Sequence, residues 1–386
     1  MTTHLAYRNT RKNTSWLCLA MAFLCAVTFV ASGCKGGKET EKKVTKSDFT
    51  SEAEAWADAQ LAKMDTTQLI GQLLMPSAFT RADRYNLNLI KRYVNEEKVG
   101  GIVWLRGDTL SMRQLADTIN SLSDIPLFMA MDAEWGLAMR LEGTEEYPKN
   151  YRLSSTSDDT LYDYGYQLGM DARQLGLNVI LAPVLDVIIN RYSVMYARSY
   201  GNDPKITADK GGSFARGIAD SGVLPVAKHF PGLGATVRDS HKVLPVVNDD
   251  RATIEARDLA PFRQFVDFNL GGIMVGHVAM PALDSVLRPA TVSPVIVNDL
   301  LRKEMKFNGL IFSDAMNMGA VNTSSGKSAP YVEALKAGSD VLIVPADTKK
   351  AIAEIRAAVD SGELPYSDIL DKVKRVLFYK YTMRES

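Results

Sequence analysis

Short apolar segments recur along the chain, and a stretch with helical periodicity follows each of them. The segments are rich in Val, Ile and Leu without clean alternation of apolar and polar positions, which is typical of parallel strands buried on both faces. They span residues 72–79, 100–105, 126–132, 178–187, 224–230, 271–278, 310–314 and 340–345. Eight such strands alternating with helices predict a single-domain α/β fold, a (β/α)8 barrel of the TIM type, rather than an open sheet.

Helix signals flank these strands at both ends of the domain. Ser51 precedes Glu54 by three residues, and Asp65 precedes Gln68 by the same spacing, so two capping boxes predict that two helices open the domain. After Ser367, the apolar positions predict a last helix with one buried face. That face comprises Ile369, Leu370, Val373, Val376 and Leu377.

The first residues are patterned for export rather than for folding. Three basic residues precede an apolar run at 16–31, which is too short for a comfortable membrane span. The run ends in Ala-Ser-Gly-Cys at 31–34, which resembles a lipobox. We therefore expect a lipoprotein signal peptide at 1–33, lipidation of Cys34, and anchoring to the outer membrane of a bacterial cell envelope. An ordinary signal peptide or an uncleaved anchor is the alternative.

The remaining composition narrows the function classes. The only cysteines are Cys18, Cys25 and Cys34, so the predicted mature domain has no thiol for a disulfide, a nucleophile or a Cys-type metal site. A polar, charged stretch at 34–50 predicts a flexible tether, and 51–386 the barrel domain. The chain has 45 basic and 45 acidic residues, which gives no indication of a nucleic-acid partner.

Polar residues lie at or beyond the ends of several predicted strands. The carboxyl ends of barrel strands meet at one mouth, where barrel enzymes carry their chemistry. A single charged residue at a strand end is as easily a helix cap or a structural ion pair, but many of them on separate strands favour a functional site. The residues expected to converge are Asp132, Asp186, Arg198, Lys228, His229, His277 and Asp314.

The most specific motif is Lys-His-Phe-Pro-Gly-Leu-Gly at 228–234, followed by Asp-Ser-His at 239–241. An Asp that hydrogen-bonds a His can raise its pKa and fix its tautomer, as a general acid/base near neutral pH requires. The stretch resembles the signature of family 3 glycoside hydrolases, in the short β-N-acetylglucosaminidase branch. Leu233, which is usually a His, and Ala235 depart from that signature.

The resemblance implies the catalytic residues. Asp314, in the stretch 310–318, corresponds to the nucleophile, and a helix N-cap is its structural alternative. His241 corresponds to the acid/base and Asp239 to the residue that orients it, against the alternative of an ordinary solvated loop. We expect Gly232 and Gly234 to let this loop move.

Further motifs imply the sugar-binding residues. The stretch 131–140 resembles a family element whose Asp and Arg bind sugar hydroxyls, here Asp132 and Arg140. Trp135 and Leu137 depart from that element, so the rim of the site is expected to differ, and Trp135 either stacks on a sugar or fills the barrel top. The stretch 196–201 resembles the element that contributes Arg198.

Two more residues complete the implied sugar-binding set, and one histidine stays open. Lys228 and His229 would donate hydrogen bonds to ring hydroxyls in the same subsite. His277 either lines the pocket or is a buried histidine with satisfied hydrogen bonds, and the second is favoured.

Taken together, the resemblance implies a retaining β-N-acetylglucosaminidase, a lipid-anchored enzyme that needs no metal or cofactor. Its substrate would be a muropeptide or another GlcNAc-terminated oligosaccharide. A β-glucosidase or β-xylosidase of the family is a rival, although those usually take a Glu acid from a second domain. A phosphorylase and an inactive sugar-binding lipoprotein are further alternatives. If His241 were only a binding residue, Glu134 would be the next candidate acid.

Overall fold

Strands and helices alternate along the computed structural model, which describes residues 46–81, 84–240, 243–322 and 329–383. The strands are β1 Leu74–Met75, β2 Ser77–Phe79, β3 Gly101–Asp108, β4 Phe128–Met131, β5 Leu141–Glu142, β6 Val179–Ile180, β7 Leu224–Phe230, β8 Gly272–Val275, β9 Ile311–Ser313 and β10 Leu342–Ile343. The α-helices are α1 Lys46–Leu61, α2 Thr66–Gln72, α3 Leu87–Asn95, α4 Thr109–Asn120, α5 Asp158–Gln174, α6 Pro204–Asp220, α7 Arg251–Ile254, α8 Ala260–Phe268, α9 Gly319–Asn322, α10 Pro330–Ala337, α11 Thr348–Asp360 and α12 Tyr366–Thr382. π-helical segments lie at Glu255–Leu259 and Val295–Glu304, and 3-10 turns at Leu137–Met139, Asn150–Arg152 and Ala290–Val292.

The strands form a closed parallel barrel. One sheet has the order β2-β3-β4-β6-β7-β8-β9, and β10 pairs with β1, every neighbouring pair being parallel. Ser313 N–H donates to Val341 O over 2.8 Å, which joins β9 to the β10 segment. Pro76 separates β1 from β2 because proline has no N–H for a ladder, so the predicted strand at 72–79 appears as two short pieces. With those two pieces counted as one strand, the eight predicted strands surround the barrel.

The short strand β5 was not predicted, because two residues carry no usable periodicity. It pairs with the end of β3, outside the barrel wall. The predicted strand at 178–187 is regular only over β6, and its ladder resumes at an isolated bridge between Val184 and Lys228. Pro183 stands between these two parts and cannot donate a ladder hydrogen bond.

One predicted helix start is wrong. Helix α1 begins at Lys46, so Ser51 lies inside the helix rather than at its N-cap, and residues 46–50 of the expected tether are helical. No Gly or Pro interrupts 46–61, so the helix extends past the capping pattern. The second capping box is confirmed: Asp65 Oδ1 accepts from Gln68 N–H and Gln68 Oε1 accepts from Asp65 N–H, each at 2.8 Å.

The core fills the barrel and the layer between strands and helices. All four residues of β4 are buried, as a strand covered on both sides requires. Helix α12 packs the predicted face against the barrel, with Ile369, Val373, Val376 and Leu377 fully buried. No helix of the described ranges is long and apolar enough to span a bilayer. The expected signal peptide and Cys34 lie outside the described residues.

Candidate active site

A cavity of about 520 Å³ opens at the carboxyl ends of the strands. Its floor includes apolar side chains from inside the barrel, among them Val103, Leu181 and Met274. Seven of the residues predicted for catalysis or sugar binding line it: Asp132, Arg140, Arg198, Lys228, His229, Asp239 and Asp314. His241 lies outside the described residues. The structure therefore brings together every residue predicted for catalysis or sugar binding that it describes, at the mouth where a barrel enzyme would act.

A network of alternating charges forms one wall of the cavity. Lys228 Nζ donates to Asp132 Oδ1 over 2.6 Å and lies 2.8 Å from Glu134 Oε1. Arg140 Nη2 donates to Asp132 Oδ2 over 2.5 Å. Arg198 donates two hydrogen bonds to Glu134, from Nε to Oε2 at 2.8 Å and from Nη2 to Oε1 at 2.6 Å. Lys228 thus joins two carboxylates, each of which also holds an arginine.

This pairing keeps all members of the network charged. Burial alone would raise the pKa of Asp132, but Lys228 and Arg140 hold it well below its usual range. Burial opposes ionisation of Glu134 as well, yet Arg198 and Lys228 lower its pKa to about 2. The pKa of Lys228 is raised, because its two carboxylate partners outweigh burial. Each Asp132 oxygen accepts from one cation, Lys228 or Arg140, and keeps a second lone pair that can accept from a sugar hydroxyl.

His229 is oriented from behind by Asp186. The His229 Nδ1 lies 2.8 Å from Asp186 Oδ2, so this nitrogen carries the proton and donates to the carboxylate. The Nε2 then faces Arg198 Nη2 at 3.4 Å, on the cavity side. Asp186 was predicted to join the converging set. It is fully buried and does not line the cavity, so it acts by positioning His229.

The strand that carries this pair is irregular where it reaches the cavity. The pairing of β7 with β8 shifts register between Lys228 and Phe230. Such a bulge re-aims side chains, and consecutive Lys228 and His229 both line the cavity although a regular strand alternates its faces.

Leu233 shows why its departure from the family signature is tolerated. Its backbone N–H donates to Asp186 Oδ1 over 2.5 Å, a contact that does not depend on the side chain. The Leu side chain is buried and belongs to the apolar core beside the site. Replacing the usual His therefore leaves the Asp186–His229 pair in place.

Asp314 follows β9 directly and points into the cavity. Its N–H donates to Val275 O over 3.0 Å, and its Oδ1 accepts from Ala315 N–H over 2.7 Å. Burial would raise the pKa of Asp314, but the nearby His277, His229 and Lys228 and the Ala315 N–H lower it. The carboxylate is therefore ionised at neutral pH, as a nucleophile requires.

His277 is a buried histidine with satisfied hydrogen bonds, the alternative that was favoured. It is fully buried, with Nδ1 2.8 Å from Thr291 Oγ1 and Nε2 3.1 Å from Ala315 O. Since a carbonyl only accepts, Nε2 must donate to it. His277 thereby fixes the segment immediately after Asp314.

The loop after β7 is anchored at its base. Gly232 has a φ of 136°, and a Cβ on Gly234 would lie 1.9 Å from Val187 O, so both positions require glycine for local geometry. The four residues 231–234 are buried. The two glycines thus have a packing role at the loop base, and movement of the loop beyond them stays a prediction. Asp239 and Ser240, further along the loop, line the cavity.

A family model described as the glycosyl hydrolase family 3 N-terminal domain matches residues 66–378. The chain belongs to glycosyl hydrolase family 3. This confirms the resemblance inferred from the motif at 228–241, and the family is one of glycoside hydrolases.

Named relatives in family 3 support the same placement. Beta-hexosaminidase A of Pseudoalteromonas piscicida is 29% identical over 86% of this chain and 64% of its own length. A beta-hexosaminidase of Nitrosospira multiformis is 32% identical, covering 69% of this chain and 79% of that protein. The family 3 β-N-acetylglucosaminidase of Paenibacillus sp. strain FPU-7 matches with a TM-score of 0.79 and 31% identity, covering 83% of this chain and 63% of that structure. The chain thus spans somewhat under two thirds of the length of the first and the third of these proteins. The structural match to the third protein confirms the predicted barrel.

Sequence reasoning missed how the family 3 site uses the residues around Asp132. Glu134 was considered only as a fallback acid, yet it is buried and anchors both Arg198 and Lys228. Leu137 is buried in the core, and Trp135 packs with Lys149 Nζ 5.5 Å from its ring, outside the cavity lining. The departures at Trp135 and Leu137 therefore lie outside the cavity lining. The signal in the sequence was the position of Glu134, two residues after Asp132 and three after the end of β4.

Proposed function

We propose that this family 3 protein is a retaining β-N-acetylglucosaminidase that releases terminal β-linked GlcNAc from oligosaccharides such as muropeptides. The observation that carries the proposal is the ionised Asp314 carboxylate, which shares one cavity with the charged Asp132–Lys228 wall. The names of the relatives, beta-hexosaminidase and β-N-acetylglucosaminidase, support the choice of sugar.

The charged wall would bind the terminal sugar. Lys228 and Arg198 offer N–H donors, and the carboxylate of Asp132 offers acceptor lone pairs, while buried Glu134 holds the two cations in place. His229, held by Asp186, adds one fixed nitrogen. A sugar that lacks a matching hydroxyl would leave buried charged groups unpaired, which is how such a site discriminates.

Asp314 would attack the anomeric carbon. Its carboxylate forms a bond to that carbon while the glycosidic C–O bond breaks, which gives a covalent glycosyl-enzyme and a free leaving group. Water then cleaves the ester and restores Asp314. Two displacements retain the anomeric configuration.

His241 would supply the proton to the leaving oxygen and later take one from water, with Asp239 orienting its ring. Asp239 and Ser240 line the cavity immediately before His241 in the chain, which supports this assignment. Glu134 is a poor acid for the same step, because the pKa of about 2 leaves it without a proton at neutral pH. The structure thus favours an acid outside the charged wall.

The test compares nitrophenyl β-GlcNAc with nitrophenyl β-glucoside, each with and without inorganic phosphate. We expect preferential hydrolysis of the GlcNAc substrate, free GlcNAc as the product in both buffers, and loss of activity in Asp314→Ala. Preference for the glucoside would indicate a β-glucosidase, and GlcNAc 1-phosphate as the product would indicate a phosphorylase. Binding of GlcNAc without turnover of either substrate would indicate an inactive sugar-binding protein.

We also propose that lipidation of Cys34 anchors the protein to the outer membrane. The support is the ordered series of basic residues, apolar run and lipobox-like Ala-Ser-Gly-Cys at 31–34.

A further inference from the structure

Arginine side chains surround a second concave region beside the sugar-binding cavity. A cavity of about 410 Å³ is lined by Phe79, Arg81, Arg84, Leu105, Arg106 and Arg140, and a smaller one of about 220 Å³ shares Arg81, Arg106 and Arg140. We call Arg81, Arg84, Arg106 and Arg140 the arginine cleft. The cleft adjoins the sugar-binding cavity, because Leu105 and Arg140 line both.

Backbone hydrogen bonds fix the three segments that carry these arginines. Thr80 N–H, next to Arg81, donates to Arg106 O over 3.0 Å. Gly107 N–H, next to Arg106, donates to Arg140 O over 3.1 Å. Strand β5, which begins after Arg140, then pairs with the end of β3. The arginines are therefore neighbours because the barrel rim holds their backbones together.

Close packing supports this rim. A Cβ on Gly107 would lie 1.5 Å from Thr80 Oγ1, so the segments approach closely enough to require glycine. The Arg84 guanidinium lies 5.4 Å from the centroid of the Phe79 ring, which positions the cation by a cation–π contact. The backbone of the cleft is thus closely packed, while the side chains of Arg81, Arg84 and Arg106 are exposed on it.

Positive charge exceeds negative charge in the cleft. Glu142 is the one acidic residue among the described residues that line it, and Arg140 already pairs with Asp132. Asp108, near in sequence, is occupied as the N-cap of α4 through Ser111.

Two of the four guanidinium groups are available for a ligand. Across the described part of the chain, the side chains of Arg84 and Arg106 form no hydrogen bond or ion pair. Guanidinium groups bind carboxylate and phosphate oxygens through paired hydrogen bonds, and an anion would relieve their mutual repulsion.

We propose that the arginine cleft binds a carboxylate or phosphate group carried by the leaving group of the substrate. The inference rests on the proposed function, since it takes the adjoining cavity as the place of the terminal GlcNAc. The cleft would then select acidic glycosides over neutral ones of the same linkage.

The experiment compares two disaccharides with the same linkage. In one, GlcNAc is joined to N-acetylmuramic acid, which bears a lactyl carboxylate, and in the other to a second, neutral GlcNAc. We expect the ratio of kcat/KM for the acidic over the neutral disaccharide to fall at least about ten-fold in the double variant Arg84→Gln/Arg106→Gln, the effect of one lost charge-assisted hydrogen bond. Arg113→Gln, on the exposed side of α4, removes one positive charge elsewhere and should keep the wild-type ratio.

Added salt gives a second readout. Raising the ionic strength should lower the ratio in the wild type, because screening weakens the attraction between an exposed guanidinium and the anion. The double variant should respond less. A ratio that is the same in wild type, double variant and Arg113→Gln would overturn the cleft proposal while hydrolysis of the neutral disaccharide still supports the function.

Two further outcomes are decisive. If the wild type cleaves neither disaccharide, the proposed function fails, and calorimetric titration with N-acetylmuramic acid decides on the cleft: weaker binding by the double variant supports it, equal binding contradicts it. If added inorganic phosphate gives GlcNAc 1-phosphate in the wild type but not in the double variant, the arginines hold free phosphate, and the assignment to the leaving group is wrong.

Discussion

Replacing Glu134 with Gln keeps the shape of the side chain and removes its charge. The carboxylate accepts two hydrogen bonds from Arg198 and lies 2.8 Å from Lys228 Nζ, with no exposed surface on its side chain. In Glu134→Gln, the amide NH2 would face a cation, and Arg198 would lose its charged partner. Glu134 is thus a positioning residue whose loss should be felt in both stability and substrate binding.

The magnitude follows from two independent arguments. Removing one partner of a buried ion pair costs about 3–5 kcal/mol. Arg198 and Lys228 lower the pKa of Glu134 to about 2 from the ordinary 4.5, against the opposing effect of burial, and this shift corresponds to roughly 3 kcal/mol. We therefore expect the free energy of unfolding of Glu134→Gln at pH 7 to fall by about 3 kcal/mol.

The pH dependence provides a sharper signature. A carboxylate with a lowered pKa in the folded state stabilises fully above its unfolded pKa, near 4.5, and loses that contribution as the pH falls toward about 2. The wild type should lose this stability on acidification, and Glu134→Gln should lack that loss. The difference between the two proteins should therefore shrink from pH 5 to pH 3.

Urea unfolding at pH 7, 5 and 3 measures these differences, with Glu146→Gln as the matched control because Glu146 is exposed and forms no ion pair with other described residues. Kinetics on nitrophenyl β-GlcNAc add a second readout, an increase in KM of about ten-fold, the loss of one charge-assisted hydrogen bond. If Glu134→Gln is as stable as Glu146→Gln at pH 7, the reasoning is refuted.

Four further predictions follow from the site, the N-terminus and Lys380, a buried lysine of α12. Asp314→Ala should lower kcat by about a thousand-fold or more, and a 2-fluoro sugar should label Asp314 in mass spectrometry; labelling of another carboxylate would contradict the nucleophile. His241→Ala should slow disaccharides far more than nitrophenyl glycosides, whose leaving groups need no proton, and Asp239→Ala should do so more mildly; equal slowing of both substrates would make His241 a binding residue. Cys34→Ser should move the protein from the membrane fraction to the soluble fraction with its activity retained, whereas a soluble, unlipidated wild type would exclude the anchor. Burial lowers the pKa of Lys380 to about 7, so the wild type should gain stability relative to Lys380→Met as the pH rises from 7 to about 10. Urea unfolding of both proteins across this range measures the difference in their free energies of unfolding, and a difference that does not change with pH would contradict the prediction.

The barrel could be predicted because each strand is buried on both faces. Continuous apolar segments such as 271–278 and 310–314 predict strands that are buried on both faces. The exact strand limits depend on which backbone groups find ladder partners, and Pro76 and Pro183 break ladders that the apolar pattern suggests are continuous. The predicted start of α1 at Ser51 was wrong because a Ser-x-x-Glu spacing occurs inside helices as well as at their N-caps.

Within the site, sequence motifs located the residues but not their partners. Asp132, Arg140 and Lys228 were expected to face the sugar, and all three line the cavity. That Lys228 joins Asp132 to Glu134 depends on distances between separate strands, which no local pattern contains. The packing role of Gly234 could not be predicted for the same reason, since the backbone that crowds it comes from 187, far away in sequence.

The buried base of the loop at 231–234 determines where loops of different family 3 proteins can be exchanged. Gly234 leaves no space for a side chain beside Val187, and Leu233 holds Asp186 through its backbone. A chimera joined upstream of Gly234 would have to import matching barrel residues along with the loop. A junction placed after Gly234 keeps these contacts native, so leaving-group preference can be transplanted there without redesigning the barrel.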